Sequence, residues 1–131
     1  MIGDLSRHGI KLGLVTSALL GRVKSTVPAG FLENFQAIVT GEDTKEGKPS
    51  PMPYFAGAKK LGVDASDCVV VENAPLGITS AKRAGAYCIA LETTLAIKFL
   101  EEADSICRSF EDLSKSPVIR ELMSSKSRSA H

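Results

Sequence analysis

Five strand-length apolar runs, separated by stretches of helical character, most narrow the folds open to this chain. They are "IKLGLV" at residues 10–15, "AIV" at 37–39, "CVVV" at 68–71, "YCIAL" at 87–91 and the weaker "SIC" at 105–107. Runs that stay apolar without strict polar alternation suit strands buried on both faces, and helices between them supply the cover. The alternation therefore predicts βαβ units and an α/β fold, a Rossmann-like parallel sheet with helices on both faces. A chain of 131 residues suffices for one such domain.

The connections carry their own punctuation. In "PYFAGAKKLG", residues 53–62, Tyr54, Phe55, Ala58 and Leu61 share one helical stripe, with Pro53 suited to the first turn and Gly62 to the C-terminal cap. "PLGITSAKRAG", residues 75–85, repeats the device, with Pro75 at the start, Ile78, Ala81 and Ala84 inward, and Gly85 as the stop. Further helices are expected over residues 95–102 and 111–123. A core domain spanning residues 1–123 then leaves the polar "SSKSRSAH", residues 124–131, as a disordered tail.

Composition excludes several roles. Sixteen Lys and Arg against fifteen Asp and Glu leave a net charge of +1, so no global field favours nucleic acid or an anionic membrane, and any anion site must be local. No apolar run approaches the roughly 20 residues of a membrane span, and the first residues have no secretory-signal pattern; the expectation is a soluble, cytoplasmic protein. Cys68, Cys88 and Cys107 form no CxxC pair and read as reduced residues of the core. His8 and His131 lack metal-ligand spacing.

Ligands of open α/β sheets gather outside the carboxyl ends of the strands. Three features fall there. "KLGLVTSA" ends on Thr16 and Ser17, two hydroxyls suited either to capping a helix or to holding an anion at its start. "TGEDTKEGKPSP" places Lys48 between Gly47 and Pro49, neighbours that restrict where its ammonium can point. A Walker A loop is excluded, since five residues rather than four separate Gly41 from Gly47 and proline follows the lysine. Last, "VVVENAP" delivers Glu72 and Asn73 from a valine strand. Asn73 suits an N-cap, whereas a carboxylate at Glu72 needs pairing, with Lys48 across the strand tops or with magnesium.

Taken in order, the hydroxyl after a strand, the GKP lysine and the acidic position followed by "GITSAKRAG" resemble motifs II, III and IV of the haloacid dehalogenase-like hydrolases, in the phosphoglycolate phosphatase and β-phosphoglucomutase-like branch. The resemblance implies an Mg2+-dependent phosphatase for a small phosphorylated metabolite, working through an aspartyl phosphate. It implies that Thr16 and the backbone at Ser17 bind phosphate, that Lys48 holds the phosphoryl oxygens and the nucleophile's charge, and that Glu72 and Asn73 position the metal. It further implies two departures. Motif I, the DxDxT that carries the nucleophile, is not found in the sequence, nor is a cap domain before motif II, so the expected sheet lacks its first, nucleophile-bearing strand. Asn73 also replaces the commoner aspartate. A chain of this kind would expose two strand edges, which invite self-association. The competing expectation is a non-catalytic, phosphate-binding remnant.

Overall fold

The structure, a computed structural model, describes residues 2–92 and 100–129. Helix α1 (Ile2–Arg7) leads to β1 (Gly13–Val15), α2 (Leu20–Thr26) and β2 (Ala37–Val39). Then come α3 (Met52–Leu61), β3 (Val69–Glu72), α4 (Pro75–Arg83), β4 (Tyr87–Leu91), β5 (Ser105–Cys107), α5 (Phe110–Ser114) and α6 (Pro117–Ser129). Single 3-10 turns at Phe31–Asn34 and Ala65–Asp67 precede β2 and β3.

Every ladder is parallel, but the strands form two sheets: β1 pairs with β2, and β3, β4 and β5 follow in that order. β1 turns its even-numbered residues to β2, because the Leu12 carbonyl accepts from Gln36 and Ala37 and the Thr16 amide donates to Val39. Gly13 and Val15 therefore present their backbone groups to the other edge. By the same alternation β3 meets β4 through Cys68, Val70 and Glu72, as the Tyr87 amide donating to the Cys68 carbonyl shows, and turns Val69 and Val71 outward. Among the described residues no strand occupies either edge.

A shared helical layer spans the break. Helix α3 packs on β1 and β2, α4 packs on β3 and β4, and the two helices touch. Their contact face merges Tyr54, Ala58, Val70, Ile78, Ala81 and Cys88 into one core, with Val15 against it. Gly57 lets α3 approach β1, since a Cβ there would lie 3.1 Å from Val15 Cγ2. On the opposite face α1, α5 and α6 cover the larger sheet, with Leu5, Leu113 and Ile119 against Ile89 and Leu91. The result is α/β with helices on both faces.

Several local expectations change. The strand is shorter than residues 10–15: the Ile10 amide turns back to the Leu5 carbonyl and closes α1, and the Leu12 amide donates to the Gln36 side chain, so β1 begins at Gly13. On α3, Phe55 lies off the buried stripe and is 44% exposed, while Gly57 shares the buried face with Tyr54 and Ala58. The helix expected over residues 111–123 is two, separated at Lys115 and Ser116 ahead of Pro117, where α5 ends and a new first turn begins. Helix α6 then continues to Ser129 instead of ending at Met123. Of the helix expected over residues 95–102, residues 93–99 lie outside the described residues, and 100–102 form a bend and turn. No helix among the described residues is long and apolar enough to cross a membrane, and all three cysteines are free thiols.

Candidate functional site

The carboxyl ends of β1 and β3 meet at a buried carboxylate. Glu72, the last residue of β3, is only 9% exposed, and each carboxylate oxygen is occupied. Oε1 accepts from the Lys48 ammonium at 2.5 Å and from the Tyr54 hydroxyl at 2.6 Å. Oε2 accepts the backbone N–H groups of Asn73 and Ala74 at 3.2 and 3.4 Å. A carboxylate taken out of water at this depth would be costly without such partners. Here two charge-assisted side-chain bonds and two amides replace the lost hydration.

The local sequence makes this possible. The Lys48–Pro49 peptide bond is cis, and the Pro49 carbonyl accepts from Arg83, while Ser80 of α4 donates to the Ser50 carbonyl. Helix α4 thus grips the loop that carries the lysine. Lys48 reaches across to the Val15 carbonyl of β1 at 3.4 Å as well as to Glu72 of β3, so a single ammonium bridges the two sheets. Gly77, in the first turn of α4, leaves the volume that Glu72 fills: a Cβ there would overlap the Glu72 carboxyl group.

Thr16 follows β1 directly. Its amide bonds Val39 and its hydroxyl accepts from the Ala18 amide at 3.1 Å, closing a tight turn. Neither Thr16 nor Ser17 caps a helix; α2 begins at Leu20 with Leu19 at the N-cap and no side-chain cap. Ser17 is exposed, and its carbonyl lies against Gly41, whose amide donates to the Ala18 carbonyl at 2.9 Å. Asn73 is not the N-cap of α4 either, since that position falls to Ala74 without a side-chain bond. The carboxylate of Glu72 takes up the Asn73 and Ala74 amides instead, and the exposed Asn73 amide side chain has no protein partner among the described residues.

Sequence reasoning assigned Tyr54 to the core stripe and missed its polar contact. Burial, and then the Glu72 charge, push its phenol well above the ordinary tyrosine value, so the hydroxyl remains a donor. The only advance signal was its place in the first turn after the GKPSP loop. Among the described residues no group of three or more His, Cys, Asp or Glu could hold a metal.

Comparison with known proteins follows the same lines. Residues 1–91 match the family described as haloacid dehalogenase-like hydrolase. The chain is 33% identical over 114 residues to validoxylamine A 7'-phosphate phosphatase of Streptomyces hygroscopicus subsp. limoneus, covering 86% of this chain and 54% of that protein. It is 34% identical over 113 residues to hexitol phosphatase A of Escherichia coli, covering 86% and 52%. Among solved structures, CbbY from Rhodobacter sphaeroides in complex with phosphate superposes with a TM-score of 0.73 at 30% identity, covering 86% of this chain and 52% of that one. The chain spans about half the length of these relatives.

Proposed function

Because the chain belongs to the haloacid dehalogenase-like hydrolases, we propose that its site binds the phosphoryl group of a small phosphomonoester and serves magnesium-dependent phosphatase chemistry. The observation that carries this reading is the Lys48 ammonium, held between the Val15 carbonyl and the Glu72 carboxylate at the strand ends. Fixed there, it neutralises phosphoryl charge and costs little reorganisation. The Thr16 hydroxyl and the backbone at Ser17, next along the same rim, complete the phosphate contacts.

Glu72 and Asn73 offer a carboxylate and an amide carbonyl, the hard oxygen donors magnesium takes. The exposed Asn73 side chain has no protein partner among the described residues and is open to the ion, whereas both Glu72 oxygens are already engaged, so Glu72 would act on magnesium through water. Bound there, magnesium would supply further neutralisation of phosphoryl charge. Two donors do not make a complete shell, and in this reading water, the substrate phosphate and the nucleophile provide the rest.

The reaction of this family needs an aspartate. A carboxylate oxygen attacks phosphorus, the ester P–O bond breaks, and the leaving alcohol takes a proton; water then attacks the aspartyl phosphate, releasing inorganic phosphate and restoring the carboxylate. Residues 1–131 contain no DxDxT. We place the nucleophile on a strand supplied from outside these residues and paired between the free edges of β1 and β3. Lys48, which touches both strand ends, would meet the carboxylate there.

Thermal unfolding with increasing inorganic phosphate tests the binding claim. A ligand of the folded state raises stability by RT ln(1 + [L]/Kd), so phosphate should raise the Tm of the chain and leave Lys48→Ala unmoved. Equal shifts in both, or no shift in either, would overturn it. Assay of residues 1–131 with p-nitrophenyl phosphate and magnesium should show no turnover. Hydrolysis that Lys48→Ala abolishes would refute the placing of the nucleophile.

A further inference from the structure

Among the described residues Tyr54 touches both members of this ion pair. Its hydroxyl donates to Glu72 Oε1 at 2.6 Å, and the Lys48 ammonium stands over its ring, 5.3 Å from the centroid. The side chain is itself buried, 9% exposed, in the first turn of α3, where its amide bonds the Pro51 carbonyl at 3.1 Å. Glu72 Oε1 therefore has two side-chain donors from the same segment of chain: Lys48 from the loop and Tyr54 six residues on, after the loop has become a helix.

We propose that Tyr54 is a positioning residue: its hydroxyl fixes the rotation of the Glu72 carboxylate, and through the shared oxygen and the ring face it fixes the Lys48 ammonium. The carboxylate's other contacts cannot do this alone. The two amides at Oε2 are long, 3.2 and 3.4 Å, and Lys48 is a flexible chain whose direction depends on its partner. A rigid phenol anchored in the core supplies the missing constraint. A hydroxyl that served only to satisfy itself would need a single neutral acceptor; this one is set against the buried charge.

The inference rests on the phosphate-binding reading for its consequence and is separable from it in the test. The sequence has no tryptophan and two tyrosines, Tyr54 and Tyr87, so in a Tyr87→Phe background the near-ultraviolet absorption reports Tyr54 alone. Changing Glu72→Gln in that background, without any ligand, should shift the Tyr54 band to the blue, because a charged acceptor becomes neutral. Tyr54→Phe should weaken phosphate protection, seen as a smaller rise in Tm at the same phosphate concentration. In a Glu72→Gln background the same change should have little further effect. An unmoved Tyr54 band, or equal and additive losses in both backgrounds, overturns the proposal. Phosphate that fails to protect even the unsubstituted chain overturns the phosphate reading instead, and the ligand-free spectrum still decides the role of Tyr54.

Discussion

Alanine at Gly77 should destabilise this protein, although in most helices the same change helps. Inside a helix Ala is favoured over Gly by about 1 kcal/mol, and α4 needs no left-handed conformation there. The opposing effect is steric: the new methyl group would overlap Cδ and both oxygens of Glu72. A free carboxylate would swing aside cheaply. This one is held by Lys48, Tyr54 and two amides, so displacing it strands a half-buried ammonium and a buried phenol. Removing one partner of a buried pair costs on the order of 3–5 kcal/mol. After the helix gain is subtracted, a net loss of about 2–4 kcal/mol remains, or a fall in Tm on the order of 10 °C for a domain of this size. Gly21→Ala is the control, since nothing lies within 4 Å of its added Cβ, and it should leave Tm unchanged or raised. Calorimetry of both variants gives the comparison. Gly77→Ala in a Glu72→Ala background should lose its penalty, because the clash has gone. A Gly77→Ala protein as stable as the original, with its phosphate response intact, would refute the reasoning.

Gly41→Ala presses on backbone rather than on a side-chain tip, since its Cβ would overlap the Ser17 carbonyl oxygen and lie 3.3 Å from its carbon; the Thr16–Ser17 turn must shift, and phosphate protection should fall more than Tm does. Burial pushes the Cys88 thiol up to about 12, with Glu72 adding to the shift, so a thiol reagent at pH 8 should label Cys88 only after unfolding, whereas Cys68 and Cys107, which are partly exposed, react in the folded state. Asp104 is held below its usual 3.8 by the Lys82 ammonium first and the Cys88 amide second. Its folded-state value is thus depressed, and the stability it adds is present above pH 4 and lost as pH falls through the folded value. Asp104→Asn should accordingly melt lower at pH 7 and converge with the original in acid. The free edges of β1 and β3 should make residues 1–131 self-associate as concentration rises; a strict monomer in sedimentation equilibrium across the micromolar range would count against that.

The parts of the fold legible in the sequence were those that one local rule decides. The apolar runs at 37–39, 87–91 and 105–107 coincide with β2, β4 and β5; the longest of them, β4, is buried along almost its whole length, which leaves no polar alternation to blur its ends. Gly62 and Gly85 end their helices at positive φ, the one conformation that marks glycine out. The pairing of Lys48 with Glu72 was also accessible, because a carboxylate leaving a buried strand demands a cation and the GKP loop held one in place. What escaped depends on distant contacts. Asn73 has the chemistry of a cap, yet Glu72 reaches back to the amides an asparagine would have taken. Tyr54 obeys the helical spacing of a core residue, and periodicity is blind to a hydroxyl at the far end of its ring. The division into two sheets was foreseen from the family resemblance rather than from any run of residues: without the nucleophile-bearing strand, the edges of β1 and β3 stay unpaired among the described residues.

That division gives the buried charges a second duty. Between the unpaired edges of β1 and β3 the described residues offer the shared helical layer of α3 and α4 and one polar link, the Lys48 ammonium joining the Val15 carbonyl to Glu72. The same four or five atoms thus hold the two half-sheets in register at their carboxyl ends and form the place where a phosphoryl group would be met. An apolar replacement of similar volume could serve the first purpose as well or better, but it could not serve the second. In the proposed reading the buried carboxylate offsets its desolvation by a use: its lysine partner stands at the strand ends, where a ligand of such a sheet binds.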